Sequence, residues 1–340
     1  MGPGRHAILF KAAYRLTVLL ALGVSTGCLR GGNPESSGGS GSAWTTKTSM
    51  PTPRTALAVG VIGNILYAVG GNSGGTDLNT VEAYDPTFNK WFTKKSMKFP
   101  RSGLAVGVVD GILYAIGGDI NSTTVEAYDP GTGPGTDSWT TKTSMPTPRY
   151  GSGAGVITGV GVINGLIYVV GGVIAPGVPG TVDVYDPGMD KWTTMSTTMP
   201  TERIFLGVGV VNGILYAVGG CPAPGGCTTL LDNLATVEAY DPGTDKWTTE
   251  ISMPTARGGL AVGVNDGILY AVGGQLPDIQ QGDTTPKTLE AYNPATDTWT
   301  TLDPMPTGRT LLAAGVVNGI LYAVGGDDQG TVETFTPPTP

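Results

Sequence analysis

Beyond residue 43 the chain alternates short apolar runs with turn-forming pairs, and one stretch displays the whole unit. Residues 104–109 (LAVGVV) lead into Asp110-Gly111, residues 112–116 (ILYAI) into Gly117-Gly118, and residues 125–128 (VEAY) into Asp129-Pro130, after which a further run opens at Trp139. Runs of this length, rich in β-branched and aromatic side chains and bounded by Asp-Gly, Gly-Gly and Asp-Pro, predict strands joined by tight turns. Four runs per unit predict an antiparallel meander, with strands labelled a to d. The 55 glycines and the low charged fraction favour an all-β chain over a helical one.

The unit recurs six times. Double glycines fall at 70–71, 117–118, 171–172, 219–220, 273–274 and 325–326, with Tyr67, Tyr114, Tyr168, Tyr216, Tyr270 and Tyr322 three residues before them. The six tryptophans run out of step: Trp44 precedes every double glycine, and no tryptophan follows the last unit, which ends at Phe335. This offset predicts that residues 44–48 supply strand d to the unit formed by residues 309–336, so that the termini close a ring. An open ring would leave an apolar face and an unpaired edge in water. The pattern therefore predicts an all-β, six-bladed β-propeller over residues 44–336, with four antiparallel strands per blade. Its blades cover 54–94, 101–142, 149–194, 203–249, 257–301 and 309–336 plus 44–48. Residues 1–28 read as a signal segment, 29–43 as a flexible Gly/Ser linker and 337–340 as a Pro-rich tail.

A double glycine ending strand b, a tyrosine before an Asp-Pro-like turn and a tryptophan on strand d, in six ordered copies, resemble the kelch family. Two regions depart from the repeat. Arg149 stands 22 positions before Gly171, whereas Arg101 stands 16 before Gly117, so a glycine-rich insertion near residues 156–161 is expected to lengthen or bulge the third a–b hairpin. The b–c loops of blades four (221–236) and five (275–288) are long, and long loops on a rigid frame commonly carry function.

Arg5, Lys11 and Arg15 precede residues 16–24 (LTVLLALGV), a run short for a bilayer span and suited to a signal-peptide core. Ser25-Thr26-Gly27-Cys28 resembles the bacterial lipoprotein box, although Ser25 stands where that family usually has an aliphatic residue. Lipidation at Cys28 and ordinary cleavage with release both stay open; either is expected to place the propeller in the cell envelope or outside the cell. The net charge of −8, more negative still without those three basic residues, argues against nucleic-acid partners.

At the start of strand a each unit carries an arginine: Arg54, Arg101, Arg149, Arg203, Arg257 and Arg309. Alternating strand direction gathers these with the b–c loops on one face. One reading is a basic collar that captures a carboxylate or other anion, since guanidinium offers a planar fork of donors. Some kelch propellers, by resemblance, bind acidic peptides this way. The other reading pairs each arginine with the acidic residue opening strand c: Glu82, Glu126, Asp183, Glu238, Glu290 or Glu333. The next position varies (Thr55, Ser102, Tyr150, Ile204, Gly258, Thr310), which points to Tyr150 and Ile204 as mouth residues. The recurring tyrosines and tryptophans read as blade packing.

Cys221 and Cys227 bracket part of the longest loop and are expected to form a disulfide in an oxidising compartment. Two thiolates do not complete a zinc site, and the lone histidine, His6, lies in the signal segment. The copper site of galactose oxidase, also a kelch propeller, and histidine-dependent triads therefore lack their residues. No cofactor or metal is expected. The reading is a monomeric, noncatalytic binding module for a protein, peptide or carbohydrate, touching a membrane only through a lipid on Cys28. The alternative is a sugar-acid epimerase resembling the periplasmic sialic-acid epimerases, with arginines holding the sugar carboxylate and a glutamate moving the proton.

Overall fold

The computed structural model describes residues 43–118, 123–147, 149, 159–172, 180–222, 232–275 and 286–338, which contain strands and turns and no α-helix. Blade one is built from Ala58–Ile62, Ile65–Val69, Val81–Asp85 and Lys90–Lys94. Blade two uses Ala105–Val109, Ile112–Ile116, Val125–Asp129 and Ser138–Thr141, and blade three Gly159–Ile163, Leu166–Val170, Thr181–Asp186 and Lys191–Thr198. Blade four uses Gly207–Val211, Ile214–Val218, Val237–Asp241 and Lys246–Glu250, and blade five Ala261–Asn265, Ile268–Val272, Leu289–Asn293 and Thr298–Leu302. Blade six joins Ala313–Val317, Ile320–Val324 and Val332–Phe335 to Trp44–Lys47.

Each blade is an antiparallel sheet in the order a-b-c-d, and the last confirms closure by the termini. Trp44 pairs with Phe335 and Lys47 with Val332, and the Trp44 indole N–H donates to the Asp303 carbonyl of blade five at 2.9 Å. Local chemistry explains the hairpins. Five of the a–b turns are Asn-Gly or Asp-Gly pairs with both residues at positive φ, as at Asp110-Gly111 and Asn212-Gly213, which matches the right-handed twist of the flanking strands. At the c–d turns Asp85, Asp129, Asp186 and Asp241 accept from the backbone N–H two residues on, at 2.8–2.9 Å.

Aromatic rings stitch the blades together. The strand-b tyrosine of each blade meets the strand-c aromatic of a neighbour, from Tyr67–Tyr128 at 5.7 Å round to Tyr322–Tyr84 at 6.0 Å. Within a blade the strand-c aromatic packs on the tryptophan, as in Tyr84–Trp91 at 5.2 Å. Such pairs add about 0.5–1.5 kcal/mol each beyond the area they bury. The double glycine serves the same seam. Gly219 has φ +63°, and a Cβ there would lie 2.5 Å from the Arg257 carbonyl, while the Gly220 N–H donates to that carbonyl at 2.9 Å.

The third a–b hairpin is regular, against expectation: Gly159 pairs with Val170 and Ile163 with Leu166 across Asn164-Gly165. The extra residues instead precede strand a, outside the described residues. The irregularity in this blade lies between c and d, where the register shifts between Thr181 and Asp183 and strand d runs to eight residues. Elsewhere the strand-d indole donates to the preceding blade's backbone, as Trp91 does to the Thr48 carbonyl at 2.9 Å; beside the shifted strand, the buried Trp247 Nε1 has no hydrogen-bond partner among the described residues.

Candidate functional site

Each blade buries its own arginine ahead of strand a, and none of the six exposes more than 1% of its surface. Each guanidinium meets the strand-c carboxylate of its own blade: Arg54–Glu82 at 2.7 Å, Arg101–Glu126 at 2.8 Å, Arg149–Asp183 at 2.8 Å, Arg203–Glu238 at 2.5 Å, Arg257–Glu290 at 2.6 Å and Arg309–Glu333 at 2.7 Å. Carbonyls satisfy further donors; Arg101, for instance, donates to Gly117 and Thr124 at 2.8 and 3.1 Å. The methionine four residues earlier seals the group, with Met50 Sδ 3.3 Å from Arg54 Nε. Burial pushes the Arg54 guanidinium down to about 10 against the pull of Glu82, and lowers the other five in the same way. The ring is thus a buried belt of ion pairs rather than an open collar. Among the described residues the Nε–H groups of Arg101, Arg203, Arg257 and Arg309 are buried without a hydrogen-bond partner, and an incoming anion would compete with the paired carboxylates.

The mouth of the axial channel is built from the next residues along. Two positions after the arginine, Ala56, Gly103, Phe205, Gly259 and Leu311 all take positive φ. Their backbones link blade to blade around the axis: Ala56 N–H to Leu311 O, Leu311 N–H to Gly259 O, Gly259 N–H to Phe205 O and Gly103 N–H to Ala56 O, all at 2.8–2.9 Å. This girdle holds even where a bulky side chain makes left-handed backbone unfavourable, as at Phe205 and Leu311. Sequence reading missed it because glycine stands at only some of these positions, Gly103 and Gly259, while Ala56, Phe205 and Leu311 give no such sign. Beneath it lies a cavity of about 110 Å³, lined by Leu57, Leu104, Val160, Leu206, Leu260 and Leu312 among other apolar residues. That space, lined by aliphatic side chains, offers a sugar acid few polar partners.

Of the predicted mouth residues, Ile204 is buried against Cys221, and Tyr150 lies outside the described residues. Gly258 proves constrained rather than variable, since a Cβ there would lie 2.6 Å from Asn233 Oδ1 and 2.9 Å from Cys221 Sγ. Cys221 is disulfide-bonded; Cys227 and Cys28 fall outside the described residues. The base of the blade-four loop is fastened to blade five, where Asn233 Nδ2 donates to the Gln275 carbonyl at 2.9 Å and Gly258 bridges to Gln275. The six b–c loops carry seven aspartates (Asp77, Asp119, Asp232, Asp278, Asp283, Asp327, Asp328) and one lysine, Lys287. Among the described residues, no cluster of three or more His, Cys, Asp or Glu side chains has metal-binding geometry.

A closed ring of six repeated four-stranded blades, with variation concentrated in the loops of one face, defines a repeat propeller. The Kelch motif matches residues 53–98, 100–146, 158–199, 202–254 and 256–306, and the chain belongs to the kelch-repeat family. The sixth blade, divided between the termini, lies outside those five matches. Kelch-like ECH-associated protein 1A of Danio rerio is 40% identical over 99 residues, covering 29% of this chain and 16% of that protein. Kelch-like protein terF of Aspergillus terreus is 37% identical over 111 residues (29% and 24%), and Beta-scruin of Limulus polyphemus is 31% identical over 109 residues (30% and 12%). The chain thus spans less than a quarter of the length of each of these relatives.

Proposed function

We propose that this propeller is a noncatalytic protein-binding module that receives its partner on the face carrying the b–c loops. The observation that carries the reading is where the six copies differ. The ionisable groups that recur, arginine and strand-c carboxylate, neutralise each other below the surface, while the non-repeated chemistry lies in loops above it. The family supports it too, since one similar protein is named for its association with ECH. The acidic balance of the loops selects a partner segment that is basic or polar, so the anionic ligand expected of a collar is not part of this proposal. The epimerase alternative is set aside because the arginines and glutamates it needs are spent on one another.

The signal-like segment supports a place in the cell envelope, with Cys28 as the lipid attachment point and residues 29–43 as the tether. Replacing residues 221–236 by the five-residue loop 327–331 of blade six tests the binding face. Crosslinking of the full chain in envelope extract should capture a partner that the exchanged chain loses while it still unfolds cooperatively, at a melting temperature lowered by loss of the Cys221 disulfide; retention of the same partner would refute this face. Palmitate labelling that vanishes in Cys28→Ala tests the anchor.

A further inference from the structure

Six copies in one chain provide five internal controls for every position, and blade one breaks the pattern along its outer edge. Directly after the strand-d tryptophan the other blades carry threonine (Thr45, Thr140, Thr193, Thr248, Thr300), and blade one carries Phe92. After the methionine that follows, the other copies read Pro-Thr, as at Pro51-Thr52 and Pro306-Thr307, whereas this one reads Lys98-Phe99. Lys90, Lys94 and Lys95 complete the stretch.

The structure shows that the exchange is compensated. In four copies the threonine hydroxyl donates to the strand-c glutamate of the buried belt: Thr52 to Glu82, Thr201 to Glu238, Thr255 to Glu290 and Thr307 to Glu333, at 2.7–2.9 Å. Proline has no N–H; Lys98 has one, and it donates to Glu126 Oε1 at 2.8 Å. The glutamate keeps its donor, and the neighbouring position is released to carry an exposed aromatic ring.

Phe92 and Phe99 are each 42% exposed and Phe88 is 72% exposed. Lys90 Nζ sits 5.3 Å from the Phe92 ring centre and Lys98 Nζ 5.1 Å from that of Phe99. Among the described residues, none of the four ammonium groups lies within 4.0 Å of a carboxylate. The carboxylate facing this edge from blade two, Asp137, is occupied by the Tyr128 hydroxyl at 3.0 Å and the Lys95 N–H at 2.8 Å. With every propeller arginine buried, the strip concentrates the exposed positive charge of an otherwise acidic body. Lysines alone would only discourage edge-to-edge pairing, but the three phenylalanines add the apolar surface that such protection normally avoids.

We propose that the outer edge of blade one, from Phe88 to Phe99, docks an extended acidic segment of a partner protein. Its backbone lies along the unpaired side of strand d, with its carboxylates against the lysines and its apolar side chains on Phe92 and Phe99. Strand d offers the five residues Lys90–Lys94 for backbone pairing, and at about 3.3 Å per residue they match roughly five residues of partner, with Phe88 and Phe99 flanking them.

The test is fluorescence anisotropy of a labelled dodecapeptide repeating Glu-Ser-Val-Ser, which sets glutamate and valine in turn on the one face that Lys90, Phe92 and Lys94 share, titrated with the full chain. The double variant Phe92→Thr/Phe99→Thr, which installs the residues of the sibling blades, should keep its melting temperature and bind about tenfold more weakly, the loss expected for aromatic contacts at the centre of an interface. Lys94→Glu/Lys95→Glu should abolish binding together with its salt dependence. Equal affinity in wild type and both variants, or no binding by wild type, overturns the proposal. So does tighter binding to phosphatidylglycerol vesicles than to the peptide, or self-association of the chain through the strip.

Discussion

Arg101→Ala is the most incisive perturbation of the buried belt. The guanidinium is 1% exposed, meets Glu126 at 2.8 Å, and also donates to the carbonyls of Gly117 and Thr124 at 2.8 and 3.1 Å. Removing it strands a carboxylate that is itself 1% exposed. Breaking a buried pair from one side costs about 3–5 kcal/mol. A domain of this type is stable by roughly 5–15 kcal/mol, and at about 2–4 °C per kcal/mol the melting temperature should fall by about 10 °C. Replacing both partners, as Arg101→Met/Glu126→Leu, should cost less than either single change, because no uncompensated charge remains. Thermal and urea unfolding followed by tryptophan fluorescence would measure the cycle, with binding to an acidic peptide recorded in parallel. If Arg101→Ala melts within about 2 °C of wild type while binding to that peptide collapses, the arginine belongs to a binding surface and the belt assignment is wrong.

Three further outcomes are expected. Deleting residues 1–49 removes the buried Trp44 and its pairing with Phe335, and should lower the melting temperature well below that of the full propeller; equal melting would contradict the closure. Asp137, Asp190 and Asp245 sit below the ordinary carboxylate range, led respectively by the Lys95 N–H, the Tyr185 hydroxyl and the Ser196 hydroxyl, with Asp245 at about 2. Since folded values lie below unfolded ones, their stabilisation is complete above about pH 4 and drains away as pH falls through the folded values; a melting temperature flat from pH 5 to 2 would exclude this contribution. Gly219→Ala, with φ +63° and a Cβ 2.5 Å from the Arg257 carbonyl, should destabilise by about 1–3 kcal/mol in urea unfolding, whereas Gly133→Ala, with nothing within 4 Å, should be near neutral.

The fold was legible because its signals are local and recur: Asn-Gly and Asp-Gly fix the hairpins, and the offset between tryptophans and double glycines reveals the shared blade. Residues 150–161 were harder, since a glycine-rich stretch fits a lengthened hairpin as well as an extended lead into strand a, and only the pairing of Gly159 with Val170 decides. The arginines were readable as a ring but not as buried, because depth depends on how Met50 and its equivalents fold over each guanidinium. Ala56, Phe205 and Leu311 gave no warning of left-handed backbone, because inter-blade hydrogen bonds impose it. Lys98-Phe99 stood out in the sequence, but the exchange acquires meaning only once the threonine hydroxyls are seen to serve the strand-c glutamates.

The shared sixth blade also sets an order of events. Thr334 Oγ1 donates to the Thr45 carbonyl across 289 positions of chain, so one of the first strands to leave the ribosome is the last to find its place. At about 5–20 residues per second that strand waits on the order of 15–60 s for its partner to be made. Until then the ring stays unlatched, and the sixth blade waits with three of its four strands.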